Sequence, residues 1–214
     1  MRDIPIFTTE YGVASLIFKE IPYKGIAYIR IRDVQPGAVP QLMEECVGFC
    51  RAAGAEHIYA AGHEELQQYP LHCIVEKMTL GVTEFSQPQA NLWPVTEETV
   101  GKWREICNRG MKNVDNAATQ TKQDEKEICQ SGGAYFIHDS GKLLGIGWMN
   151  ENNLLCIVSV VPGEGARVAN TLFSLTDSEQ IHLEVASTNA RAIALYKKLG
   201  FIKTGEKDRW YQLM

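Results

Sequence analysis

Residues 183–201 constrain the fold of this chain more than any other stretch. Leu183-Glu184-Val185 alternates apolar and charged side chains, the period-two pattern of a half-buried strand. Asn189-Ala190-Arg191-Ala192-Ile193-Ala194-Leu195-Tyr196-Lys197-Lys198-Leu199-Gly200-Phe201 then places Ala192, Leu195, Tyr196 and Leu199 at spacings of three and four. That spacing gathers them on one face of a short amphipathic helix, and Gly200 supplies the left-handed residue that ends it. Taken alone, such a helix reads as a packing element with a core tyrosine.

The rest of the chain alternates strand and helix signals. Strands are expected over 13–21 and 26–32, where Ile29 and Ile31 alternate with Arg30 and Arg32. Pro36-Gly37 turns the chain into a helix over 39–53 with Gly54 as its stop, and a strand follows at 57–61. The polar stretch Ser86-Gln87-Pro88-Gln89 marks a boundary between a domain of residues 1–85 and one of residues 90–214. Beyond it, an edge strand at 92–95 tolerates Pro94, and Thr96 caps a helix that Gly110 ends. A polar helix is expected over 116–130, then strands at 134–138, 142–149 and 154–161. A helix from Pro162 to about Leu175, a strand at 181–186, the helix at 190–199 and a strand at 209–213 complete the α/β pattern. The halves also echo one another. Val34-Gln35-Pro36-Gly37, a helix and Ile58-Tyr59-Ala60-Ala61 match Val160-Val161-Pro162-Gly163, a helix and Leu183-Glu184-Val185-Ala186, offset by 126 and 125 residues.

Composition narrows the function classes. The chain has 214 residues, 45% of them apolar, enough for one large domain or two small ones at ~100–200 residues each. A net charge of −5 repels a phosphate backbone, so no nucleic-acid partner is expected. The longest apolar run, Leu154 to Pro162, is far short of the ~20 residues of a membrane helix, and Asp3 and Pro5 break any signal peptide. No membrane partner is expected, and the expected compartment is the cytoplasm. The six cysteines contain no C-x-x-C pair; Cys46 and Cys50 lie in an apolar helical series and Cys156 in a strand, so they read as buried thiols and no metal is expected.

The string at 183–201 resembles the C-terminal motif of the GNAT superfamily of acyl-CoA-dependent N-acetyltransferases. That motif reads L-x-V, a short gap, then N-x-x-A-x-x-L-Y-x-x-x-G-F. Leu183, Val185, Asn189, Ala192, Leu195, Tyr196, Gly200 and Phe201 fill every position, and the element order from residue 91 fits as well. The resemblance therefore covers residues 90–214. It implies a GNAT-type mixed sheet flanked by helices and acetyl-CoA as cosubstrate. Asn189 would contact the pantetheine arm, Ala192 would belong to the coenzyme site, and the Tyr196 phenol would lie near the coenzyme sulfur. The first domain would be a degenerate GNAT-like half, since His63-Glu64-Glu65-Leu66-Gln67-Gln68-Tyr69 stands where its motif would be.

A strand that ends in a glycine turn and opens a helix offers unpaired N–H groups and a positive dipole end to an anion. Val160-Val161-Pro162-Gly163-Glu164-Gly165-Ala166-Arg167 has that form, and no Gly-Lys-Ser/Thr follows to make it a P-loop. By the resemblance, Val160, Val161, Gly163, Glu164, Gly165, Ala166, Arg167 and Val168 would hold the coenzyme pyrophosphate. The sequence departs from the family's R/Q-x-x-G-x-G/A at Val160, and Arg167 is the residue expected to replace that charge. Arg191, Lys197, Lys198, Lys203, Lys207 and Arg209 outnumber Glu206 and Asp208, which suits the 3′-phosphate. The expected reaction is direct acetyl transfer to a primary amine, with Glu184 as general base and Tyr196 as general acid. The spacing of that pair resembles bacterial GNAT enzymes that acetylate ribosomal-protein N-termini, making a small-molecule amine or a peptide α-amine the expected acceptor. The alternative is a module that binds acyl-CoA without catalysis.

Overall fold

The computed structural model of the chain describes residues 3–81 and 89–214. The elements run β1 (Ile4–Thr8), β2 (Gly12–Ile17), α1 (Ile21–Lys24), β3 (Ile26–Val34), α2 (Val39–Ala52), β4 (His57–Ala61) and, after a 3-10 turn at Glu64–Gln68, β5 (Leu71–Gly81). They continue as β6 (Asn91–Pro94), α3 (Val100–Met111), α4 (Glu125–Gln130), β7 (Ala134–Asp139), β8 (Lys142–Asn150) and β9 (Asn153–Ser159). The chain ends with α5 (Gly165–Phe173), β10 (Gln180–Ala186), α6 (Ala190–Lys198) and β11 (Ile202–Gln212). Two compact units result. One holds the residues up to Val75 together with Glu206–Met214, and the other holds Glu76–Gly205. Residues 206–214, assigned from sequence to the second domain, thus belong to the first unit. Of the expected boundary, Ser86-Gln87-Pro88 lies outside the described residues.

In the first unit the strand order is β1-β2-β3-β4-β11, with β3 and β4 parallel and the other pairs antiparallel. α2 starts with a proline in its first turn, where a missing N–H costs nothing. It buries Val39, Leu42, Met43, Cys46 and Cys50, which pack with Ala14, Leu16, Ala27, Ile29 and Ile31 of the sheet. Burial pushes the Cys46 and Cys50 thiols up to about 12, so both are protonated packing groups. A separate aromatic cluster joins Tyr28, Tyr59 and Trp210.

In the second unit the order is β5-β10-β9-β8-β7-β6, antiparallel from β6 to β9 and parallel between β9 and β10. One core sets Leu172 and Phe173 of α5 and Tyr196 of α6 against Leu154, Ile181, Leu183 and Val185. Another sets Trp103, Ile106 and Cys107 of α3 and Ile128 of α4 against Ile146, Trp148 and Cys156. Helices therefore contribute to two distinct cores of one mixed sheet.

Several sequence expectations shift here. The helix expected over 116–130 is only Glu125–Gln130, because Asn108 draws the preceding segment into a loop by bonding both Gln120 N–H and Gln120 C=O. α3 does not stop at Gly110 but runs through it to Met111. Its cap is Thr99 rather than Thr96, and the Thr99 hydroxyl accepts from Thr96 N–H at 2.9 Å. β1 and β5 carry no clear alternation and were not expected from sequence, and β11 begins at Ile202 rather than near 209.

Candidate functional site

The site is built on β9, α5 and β10. β9 and β10 pair only at Asn153 with His182 and at Leu154 with Leu183. Both strands continue, to Ser159 and Ala186, without further pairing between them. Parallel strands that part in this way leave a cleft whose walls carry backbone groups without ladder partners. The other edge of β9 is irregular too. Trp148 faces Cys156 but Met149 faces Leu154, so Leu155 is an extra, bulged residue. A bulge leaves its own backbone unpaired and turns the next side chain to the other face. Accordingly Leu154 lies in the α5 and α6 core, whereas Cys156 lies in the α3 core.

At the end of β9, Ser159 donates its hydroxyl to Val161 C=O at 2.7 Å and Glu164 N–H closes back on the same carbonyl. Gly163 sits at φ +87, which explains the glycine, and a Cβ there would meet open space. The first intrahelical bond of α5 runs from Val168 N–H to Glu164 C=O, leaving the N–H groups of Gly165, Ala166 and Arg167 at the helix start. Glu164 precedes the helix without capping it by its side chain. A Cβ at Gly165 would lie 3.3 Å from Leu195, so this turn packs closely on α6.

The basic residues are not where the sequence suggested. Arg167 donates to Asp139 at 2.7 Å and to Gln89 C=O at 2.9 Å, with Glu164 at 3.7 Å. The guanidinium holds the Asp139 carboxyl below its ordinary value, and the charge expected to replace that of the missing Arg or Gln is spent on this pair. Val168 is fully buried against Ile137 and Leu144, so its side chain faces the core and not a ligand. Val160 is exposed, and Val161 and Ala166 are half-buried. Lys203 pairs with Glu76 at 2.8 Å and Arg209 with Glu206 at 2.9 Å, so these two of the six expected cations are held by carboxylates.

The motif residues from Asn189 to Phe201 lie on α6 and at its two ends. Asn189 caps α6, its side-chain oxygen accepting from Ala192 N–H at 3.2 Å. Gly200 at φ +95 ends the helix, and Phe201 N–H returns to Tyr196 C=O at 3.0 Å. Tyr196 is buried, with its ring 5.6 Å from that of Phe201. Burial, and secondarily the neighbouring Cys156, push its phenol well above the ordinary value of ~10. Glu184 is exposed on β10, on the face opposite buried Leu183 and Val185. On that same face the imidazole of His182 bonds the Thr79 hydroxyl at 3.0 Å.

Three features escaped the sequence reading. The parting of β9 from β10 and the bulge at Leu155 arise from strand pairing, which no local pattern encodes. Asp115 accepts from the Thr188 hydroxyl at 2.7 Å and clasps the loop after α3 to the turn before α6. Cys107 of α3 meets Cys156 with a sulfur-to-sulfur distance of 3.3 Å.

Comparison with solved structures fixes the fold. The chain superposes on a provisionally named acetyltransferase from Pyrococcus horikoshii with a TM-score of 0.62 at 12% identity, covering 95% of this chain and 69% of that one. A GCN5-related N-acetyltransferase from Anabaena variabilis gives 0.61 at 11% identity, over 94% of this chain and 59% of that one. A functionally unknown conserved protein from Staphylococcus epidermidis gives 0.60 at 8% identity, over 96% and 91%. The chain has a GNAT-like fold. No protein-family model matches it, and no curated protein matches it in sequence. Among the described residues no helix is long and apolar enough to cross a membrane.

Proposed function

We propose that the chain transfers an acetyl group from acetyl-CoA to a primary amine by direct attack, in the cleft between β9 and β10. The observation that supports this most is the parting of those strands beside a glycine turn that opens a helix. The donors fit the coenzyme: the N–H groups of Gly165, Ala166 and Arg167 suit a pyrophosphate, and glycine at 163 and 165 lets it approach. When bound, acetyl-CoA would supply the thioester carbonyl carbon that the amine nitrogen attacks. The backbone N–H groups of β9 beyond Leu154, where its ladder with β10 has stopped, are the donors this strand would offer to polarise such a carbonyl. Glu184 takes the proton that an ammonium must lose at neutral pH, directly or through water. Tyr196 stays protonated throughout the working range and donates its phenolic hydrogen to the departing sulfur. The acceptor class we favour is a peptide α-amine or a small-molecule amine.

The first unit, on this reading, is a diverged copy without a coenzyme site. Calorimetry with acetyl-CoA should give one site per chain. A thiol-release assay over peptide α-amines and small amines should then find turnover. Two equivalent coenzyme sites would overturn the assignment to β9 and β10. A second reading, a module that binds acyl-CoA without turning it over, is favoured by the capture of Arg167 by Asp139. Binding without thiol release across the amine panel would select it.

A further inference from the structure

We propose that Cys107 and Cys156 are a paired redox site, closing to a disulfide under a hydroperoxide and drawing α3 against β9 beside the parted strands. The inference is independent of the acceptor amine and uses the cleft only as the place where the bridge acts. The two sulfurs are 3.3 Å apart and both residues are buried, one on α3 and one directly after the Leu155 bulge of β9. No comparable pair arises from Cys46 and Cys50, which stand one helical turn apart within the α2 core.

The chemistry needs one equivalent of peroxide. The Cys107 sulfur attacks the O–O bond, becoming a sulfenic acid and releasing water once its proton is counted. The Cys156 sulfur then displaces the sulfenic hydroxyl, forming the S–S bond and a second water. The direction is set by the pair itself. The hydrogen bond between the two sulfurs lowers the Cys107 thiol against the cost of burial and, with burial, raises that of Cys156, which favours Cys107 as the attacking and Cys156 as the resolving thiol.

Closing the pair shortens 3.3 Å to about 2.05 Å, a change met by rotation of the two cysteine side chains together with a shift of α3 or β9 towards disulfide geometry. The helix is close-packed on the strand beside the pair. Gly110, one turn further along α3, already lies so close to Val158 that a Cβ at 110 would overlap its side chain. We infer that the shift is taken up at Cys156 and the adjacent Leu155 bulge, in the strand that forms one wall of the cleft. Trp103 and Trp148 share this core, edge to face at 6.1 Å, and report on it by fluorescence.

The test treats the full chain with hydrogen peroxide at submillimolar concentration, blocks free thiols and maps tryptic peptides. The expected product links the peptide 105–109 to the peptide 143–167, is reversed by dithiothreitol and changes tryptophan emission. It disappears in both Cys107→Ser and Cys156→Ser but persists in Cys46→Ser. Acetyl-CoA affinity of the bridged form should fall about tenfold and recover on reduction, a shift of ~1.4 kcal/mol. Failure to form the 105–109 to 143–167 link, or linkage spread evenly over the other cysteines, overturns the pair. A bridge that leaves tryptophan emission unchanged overturns its action on β9. Absence of coenzyme binding in the reduced chain would instead sink the proposed function and leave the thiol pair standing.

Discussion

The two strand–helix–strand units, β3–α2–β4 and β9–α5–β10, share a plan but differ at the place where a ligand would enter. Each leaves its first strand through a proline-glycine turn, with Gly37 at φ +73 and Gly163 at φ +87, and at both a Cβ would meet open space. The turn therefore does not distinguish them. Strand pairing does. β3 and β4 pair at five successive positions, from Ile26 with His57 to Arg30 with Ala61, whereas β9 and β10 pair at two. Beyond Ala61 the first pair stays tight, since a Cβ at Gly62 would come within 2.5 Å of Ile31 C=O. The element after the second strand also differs. A 3-10 turn at Glu64–Gln68, capped by His63 Nδ1 accepting from Glu65 N–H, stands where the second unit has α6 capped by Asn189. A glycine turn becomes a site only where the sheet beside it opens.

The largest expected effect tests these last elements against each other. Tyr196→Phe removes the phenolic donor and keeps the buried ring, so turnover on a verified amine should fall by ~10²–10³ with acetyl-CoA affinity preserved. Tyr69→Phe, after the 3-10 turn of the first unit, should leave turnover within about twofold, as surface-type changes away from a site do. Steady-state kinetics with calorimetry reads both. Equal losses would erase the distinction between the units, and full activity in Tyr196→Phe would remove the acid role.

Next comes the turn itself. Gly165→Val pushes side-chain carbons into Leu195, 3.3 Å from the new Cβ, and covers the N–H groups that open α5. Coenzyme affinity should drop by about ten- to a hundredfold, or ~1.4–2.8 kcal/mol. Gly37→Ala meets no neighbour but forces a left-handed alanine, costing ~1–2 kcal/mol of stability with no change in coenzyme affinity. Loss of affinity in Gly37→Ala would place a ligand in the first unit.

How much of this was written in the sequence depends on the same contrast. Features set by local chemistry were legible: the stop at Gly200, the Gly163 turn and the apolar stripe of α2 each depend on residues within one or two turns. Features set by pairing between distant strands were not. Leu155 looks like any apolar strand residue, yet the register of β8 makes it a bulge. Arg167 looks like a phosphate ligand until β7 brings Asp139 to it. Gly110 reads as a helix stop, but its real constraint is Val158 on another element. Even the division of the chain turned on this, because β11 pairs with β4 and carries residues 206–214 into the first unit.

Two of the helical glycines, Gly110 and Gly48, give the third test, and its signs are opposite. Gly110→Ala in α3 inserts a methyl into Val158, so the gain in helix propensity is overwhelmed by a clash costing ~1–3 kcal/mol. Gly48→Ala in α2 meets nothing within 4 Å and should stabilise by ~0.5–1 kcal/mol. Denaturant unfolding with unchanged slopes measures both. Stabilisation in Gly110→Ala would mean that α3 stands further from β9 than the structure has it.

The smallest effect concerns the two arginine pairs. In the first unit Arg30 donates twice to Asp208, at 2.6 and 2.7 Å, and lies over Trp210 at 5.3 Å. In the second, Arg167 and Asp139 are more exposed, and water solvates either charge nearly as well apart. Asp208→Asn should therefore lower stability more than Asp139→Asn. The Asp139 carboxyl titrates below its unfolded value because of the Arg167 and Ser140 hydrogen bonds. The stability it contributes is then fully present above the ordinary carboxylate range and is lost as pH falls through the depressed value. Asp139→Asn should therefore cost a small, screened increment at neutral pH and flatten the acid limb that this carboxyl supplies. Its effect on the coenzyme is the sharper reading. If Asp139 merely occupies Arg167, Asp139→Asn frees a guanidinium beside the amides of α5, and acetyl-CoA affinity should rise by about two- to threefold at low salt and less at high salt. Arg167→Ala should cancel that gain in the double variant. A fall in affinity in Asp139→Asn would reverse the assignment, making the carboxylate the strut that aims Arg167 at the phosphates rather than the group that withholds it.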